Sequence, residues 1–114
     1  MSLEDENDRL VQEWACKQKS YLSRQRAECG HHYYSRRHML LRWDTANIIP
    51  LTFKQHQNVH EGNIKIEIKN HFRKQYLENL VHKDFKDYLL ENGMTRKKFA
   101  MLCNLELRRQ LSEI

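Results

Sequence analysis

The chain has 114 residues, 39% of them hydrophobic and 31% charged, which is the size of one domain, too short for two independent cores and too apolar for a disordered polyelectrolyte. No apolar run approaches the roughly 18 residues of a membrane-spanning helix, and the acidic opening Met1–Glu13 resembles neither a signal nor a transit peptide, so a soluble cytoplasmic protein is expected. The net charge of +5 is uneven: residues 1–13 carry one base and five acids, residues 14–60 eight bases and two acids, and residues 61–114 eleven and eight.

In chain order, residues 3 to about 27 lack Pro and Gly, and Leu10, Val11, Trp14, Ala15, Tyr21 and Leu22 keep a helical spacing, predicting an N-terminal helix within residues 1–28. His31-His32-Tyr33-Tyr34-Ser35 follows Gly30 and suits a strand. A long connection through Arg42-Trp43-Asp44 leads to a second short strand, Asn47–Leu51, with Pro50 tolerable only at an edge or end. Thr52-Phe53-Lys54-Gln55 has the capping-box form, so a short helix should begin near Phe53 and end before Gly62. Beyond it, Ile64, Ile66 and Ile68 alternate like a strand. Phe72 to Leu80, then Phe85 to Leu89, have helical spacing, and after Asn92-Gly93 Thr95 opens a last helix. The expected architecture is one α+β domain over residues 1–114: a strand, strand, helix unit at 29–61, flanked by the N-terminal helix and a mainly helical region, 62–114. Trp14, Trp43, Tyr33 and the C-terminal helices are the expected core.

Five of the seven histidines lie between residues 31 and 60, and four of them combine with Asn47 as His31-His32, Asn47, His56 and His60. That spacing, H-H-x14-N-x8-H-x3-H, resembles the HNH (His-Me finger) nuclease family, colicin-type DNases in particular, over roughly residues 29–61. Ser35-Arg36-Arg37 and Leu41-Arg42-Trp43-Asp44 look more like small HNH proteins of phages and prophages. The resemblance implies a ββα-metal finger in which His31 and His56 are metal ligands, His32 is the general base and Asn47 an orienting residue. His60 would be a further ligand or a phosphate contact. It also implies an endonuclease acting on DNA with one divalent cation, Mg2+, Mn2+, Ni2+ or Zn2+. The alternatives are a non-catalytic nucleic-acid-binding accessory protein and a toxin-type DNase domain.

The chemistry agrees with those roles. A phosphodiester hydrolyses slowly unless a cation neutralises charge in the transition state and a base activates water, and imidazole can serve both ends. His32 would titrate near neutral pH, and His56 and His60 lie one helical turn apart. One geometric demand stands out: neighbours on a flat strand point to opposite faces, so the strand must end or twist for His31 and His32 to reach one phosphate. Asn47 is expected to bond backbone groups of the 31–46 connection or His32 itself.

Many HNH proteins brace the motif with a structural zinc on two C-x-x-C pairs. Here Thr52 and Gln55 occupy the second pair's positions and Cys16, Cys29 and Cys103 form no pair, so no structural zinc and no disulfide framework are expected. Arg36 and Arg37 are candidates for phosphate contact. Lys65 and Lys69, with Arg73, would form a basic stripe if that stretch were helical, and Arg96-Lys97-Lys98 forms another cluster. Arg42 and Asp44 read as structural. On charge alone, a basic middle segment fits nucleic acid and a solvated surface equally.

Overall fold

The computed structural model describes residues 1–114 and has an α+β architecture, with six helices around a two-stranded antiparallel sheet. Helix α1 (Leu3–Cys16) opens on Ser2, whose hydroxyl accepts from the Asp5 amide, and its first turn carries Glu4, Asp5 and Glu6 where the helix dipole favours anions. Its buried face holds Leu10, Val11 and Ala15.

The N-terminal helix is shorter than its periodicity predicts. It stops at Cys16, and residues 17–26 form a loop closed by a Lys19–Arg26 bridge. Ser20 and Ser23 hydroxyls accept from the Leu22 and Gln25 amides, and the Tyr21 amide donates to Pro50 O at 2.8 Å. Local serine bonds and docking on the sheet thus outcompete continued helix.

Strand β1 (Cys29–His32) pairs with β2 (Ile48–Leu51) so that Gly30 faces Pro50 and His31 faces Ile49. Between them lie a single helical turn, α2 (Met39–Arg42), and a 3-10 turn, Thr45–Asn47, capped by Asp44. The first strand therefore lies earlier than the expected 31–35: the Asn47 side chain takes both main-chain groups of Tyr34. Asn47 itself belongs to the turn that precedes β2.

β2 is buried on both faces and divides the core. Ile48 packs with Leu10, Val11, Ala15, Trp43, Phe99 and Leu107, whereas Ile49 and Leu51 pack with Cys29, Leu41, Ile66, Ile68 and Leu77. Trp43 is core as expected, but Trp14 and Tyr33 are only half-buried at the margins of the two clusters.

No third strand forms at Ile64–Ile68, contrary to the alternation. Ile66 and Ile68 are buried and Lys65, Glu67 and Lys69 exposed, so the period of two is real, but the segment covers the core without a ladder. Both sheet edges are already taken. Pro50 O accepts from Tyr21, Ile48 O accepts from the Arg73 guanidinium at 3.1 Å, and the Gln12 side chain holds both main-chain groups of Gly30. The helical basic stripe is likewise absent: residues 65 and 69 are extended, and Arg73 is spent on Ala46 O and Ile48 O.

Helix α3 (Phe53–His60) begins with the expected capping box, Thr52 and Gln55 each bonding the other's amide, and Gly62 follows it at φ +79°. Helices α4 (His71–Val81), α5 (Phe85–Glu91) and α6 (Arg96–Ser112) are capped by Asn70, Asp84 and Thr95. Helices α1 and α6 meet through Glu4–Arg96 in their first turns and, further along, through a buried pair in which Asn104 donates to Asn7 and Asn7 to Ala100 O.

Candidate metal and catalytic site

His31 leaves β1 toward α3, where His56 and His60 sit one turn apart on the same face. One ligand nitrogen from each of the three lies within 4.8 Å of the others, and the Nε2 atoms of His56 and His60 are 3.0 Å apart. A cation bound at about 2.1 Å by three imidazoles in tetrahedral array needs nitrogens about 3.4 Å apart, a spacing that ring rotations would have to bring this set to. The donor chemistry fits a borderline transition metal.

Burial first, then the proximity of His56, His60 and His32, pushes the His31 pKa down to about 4. Burial followed by the His60 charge lowers that of His56 as well. An imidazole must be neutral to ligate, and at pH 7 His31 is.

His32, the next residue, turns the other way yet lines the same cleft. The cleft holds about 520 Å³ and is lined by Asp8, Gln12, Gly30, His31, His32 and Arg36 together with His56 and His60. His31 and His32 line it from the last two positions of β1. His32 Nε2 lies 2.9 Å from Arg42 O. A carbonyl can only accept, so Nε2 carries the proton and, in the neutral ring, Nδ1 is the basic nitrogen. Burial lowers the His32 pKa, partly offset by that bond, which favours the protonated ring.

Asn47 does not touch the cleft. It is fully buried, accepts from Tyr34 N at 2.9 Å and donates to Tyr34 O at 3.0 Å and Leu41 O at 3.2 Å. It is therefore a positioning residue, tying the chain just after His32 to the connection, as one of its two expected roles required. Of the candidate phosphate contacts, Arg36 lies at the cleft rim, whereas Arg37 is exposed and does not line it. Lys65 borders a neighbouring depression that shares His31 and Tyr33, and Lys69 lines neither.

Three residues escaped the sequence reading. Asp8 accepts from Arg42 Nε at 3.0 Å, Arg42 Nη2 at 2.6 Å and Trp43 Nε1 at 2.8 Å, fixing the residue whose carbonyl holds His32. Gln12, one turn later, accepts from Gly30 N at 2.8 Å and donates to Gly30 O at 3.1 Å. Gly30 lets α1 approach β1, since a Cβ there would lie 2.7 Å from Ile48 Cγ2 and 3.0 Å from Ala15 Cβ. Asp8 and Gln12 stand four apart on one face of α1, a signal visible only once that face is known to meet β1. Arg42 and Asp44 are structural as expected: Asp44 caps the 3-10 turn and accepts from Tyr76.

No family model, curated protein or solved structure matches this chain.

Proposed function

We propose that this chain is a ββα-metal finger nuclease, an HNH-type endonuclease that hydrolyses DNA phosphodiester bonds with one divalent cation. The observation that supports this reading above the others is the convergence of His31, His56 and His60 in a cleft that His32, with Nδ1 left basic, also lines. A bound cation would supply charge neutralisation at the scissile phosphate. His31, His56 and His60 would hold it. His32 Nδ1 would take a proton from the attacking water while Arg42 O keeps the ring oriented through Nε2. Arg36 would engage a phosphate oxygen at the rim. Since all three ligands are nitrogens, Ni2+ and Zn2+ should bind more tightly than Mg2+, which prefers oxygen.

The test is nicking or linearisation of supercoiled plasmid in EDTA and then in each of Mg2+, Mn2+, Ni2+ and Zn2+. Wild type is expected to cut with at least one metal. His32→Ala should lower turnover by roughly two to four orders of magnitude with metal affinity in calorimetry retained, whereas the His31→Ala, His56→Ala double variant should lose metal and cleavage together. A wild type that cuts with no metal, or a His32→Ala protein that cuts at the wild-type rate, sinks the assignment. DNA binding without cleavage would leave the accessory-protein alternative standing.

A further inference from the structure

We propose that the loop 17–26 is a preformed docking surface for the phosphate backbone of the nucleic-acid substrate; this rests on the nuclease reading and names how that substrate is held. The loop carries Lys17, Lys19, Arg24 and Arg26, no acidic residue, and all four cations are exposed. None of them pairs with a carboxylate. The arginines that do are Arg9, Arg42, Arg96, Arg108 and Arg109, on α1, α2 and α6. Carboxylates thus neutralise cations where α1 meets α6 and α2, whereas the loop sets four exposed, unpaired cations within ten residues and no acid among them.

The loop is also built to stay in place. Ser20 N donates to Gln25 O at 2.7 Å, Ala27 N to Gln18 O at 2.9 Å and Arg26 Nε to Cys16 O at 3.0 Å. Ser20 and Ala27 are buried beneath it, and the Tyr21 hydroxyl reaches Glu67 O at 2.9 Å. Its link to the site is direct. Ser20 Oγ donates to Gln55 Oε1 at 2.5 Å, and Gln55 Nε2 donates to Ser23 Oγ at 3.1 Å. The same Gln55 oxygen accepts the Thr52 amide in the cap of α3, and the next residue is His56. One side chain therefore fastens the basic loop to the helix that presents His56 and His60. Lys54 is a further exposed cation in the first turn of that helix.

A flexible basic tail would lose entropy on binding. A loop held by these bonds fixes the backbone from which four charges project, and a strand of evenly spaced phosphates is an anion that can use them together. Arg24 and Arg26 also offer guanidinium groups suited to phosphate oxygens.

The experiment measures binding of a labelled 30-base-pair DNA duplex in EDTA across a range of salt, which separates it from cleavage. Lys17→Gln, Lys19→Gln, Arg24→Gln and Arg26→Gln are combined in one variant. The control replaces Lys83, Lys86, Lys97 and Lys98 by Gln, removing the same charge from α5, α6 and the turn before α5. Thermal melts and metal calorimetry check that both variants stay folded with the histidine site intact. The loop variant should bind at least about 10-fold more weakly at 0.1 M salt, with the slope of log K against log salt reduced by about 2 to 4. The control should change the slope by less than about 1. Equal losses in both variants mean that only net charge matters, and an unchanged slope in the loop variant means that the loop makes no phosphate contact; either overturns the proposal. Tighter wild-type binding to oligoglutamate than to DNA of equal charge overturns it in favour of an acidic protein partner. Should the wild type bind through the loop yet never cleave, the docking surface stands and the nuclease reading falls.

Discussion

Gly30→Ala probes the joint on which the whole site hangs. The added methyl would lie 2.7 Å from Ile48 Cγ2 and 3.0 Å from Ala15 Cβ, and both neighbours are fully buried, so neither can swing into solvent. Ordinary contact begins at 3.4 Å, which leaves a shortfall on two sides: a shift of α1 away from β1 relieves the Ala15 contact, and the Ile48 contact needs the Ile48 side chain or β2 to give as well. That shift lengthens the two Gln12–Gly30 bonds, now 2.8 and 3.1 Å, and drags the residue immediately before His31. Overpacking of this kind costs about 1–3 kcal/mol, and weakening the paired bonds adds about 1 kcal/mol. For a chain of this length the sum lowers Tm by roughly 8–15 °C. Circular dichroism melts of wild type and variant supply the number, and metal titration below the variant's Tm should show weaker binding. The contact with Cγ2 gives a sharper check. Ile48→Leu moves the branch outward and removes that atom, so the double variant should be less destabilised than the two single changes added together. A Tm within about 2 °C of wild type, or strict additivity, refutes the close-approach argument.

Three further outcomes follow from the site's supports. Asn47→Ala strips partners from Tyr34 N, Tyr34 O and the buried Leu41 O and should cost about 2–4 kcal/mol in denaturant unfolding; a cost below about 0.5 kcal/mol would remove its positioning role. Asp8→Ala should destabilise by about 2–4 kcal/mol, because Trp43 Nε1 in the interior and the Arg42 guanidinium lose their acceptor. The margin over Asp8→Asn should depend on pH in one direction: burial raises the Asp8 carboxyl pKa, but the Arg42 and Trp43 bonds and the Arg42 charge outweigh it and hold the folded value below the ordinary 3.8. That stabilisation is complete above 3.8 and is lost as pH falls through the lowered folded value, so paired melts from pH 7 to pH 2 should converge, and a constant gap would contradict the sign.

The sequence made visible those parts of the fold that local chemistry decides. Thr52 with Gln55, Asn92-Gly93 before Thr95, and the apolar spacing of α4 to α6 carry their own start and stop signals, and each element lies where those signals place it. The histidine set was legible because ligand spacing on a strand and a helix is itself a local pattern. What failed depended on contacts across the chain. Residues 17–26 have helical composition yet bend onto Pro50 and Gln55, and Ile64–Ile68 alternate without pairing because Gln12, Tyr21 and Arg73 already occupy the sheet edges. Asp8 and Gln12 were hidden for the same reason: nothing local distinguishes them from the other polar residues of an acidic helix.

The composition of the cleft also differs from that of metal-dependent hydrolases built on a paired histidine helix. His56-Gln57-Asn58-Val59-His60 has the i, i+4 ligands of an H-E-x-x-H peptidase, but Gln57 stands where the peptidase needs a glutamate base. The only carboxylate lining the cleft is Asp8, and its oxygens are committed to Arg42 and Trp43. Three neutral imidazoles would leave both charges of a divalent cation uncompensated, and Arg36 adds a further positive charge at the rim. A neutral amide or ester gains little from such a field in its ground state, whereas a phosphodiester enters it as an anion and gains further charge in the transition state. On the proposed reading the base would match the same substrate: with Nε2 tied to Arg42 O, His32 would offer one lone pair to a water and no negative charge to repel the phosphate. On the proposed reading, neutral ligands with Arg36 at the rim would suit this cleft to a polyanion, and the missing glutamate base at Gln57 would not suit it to a peptidase.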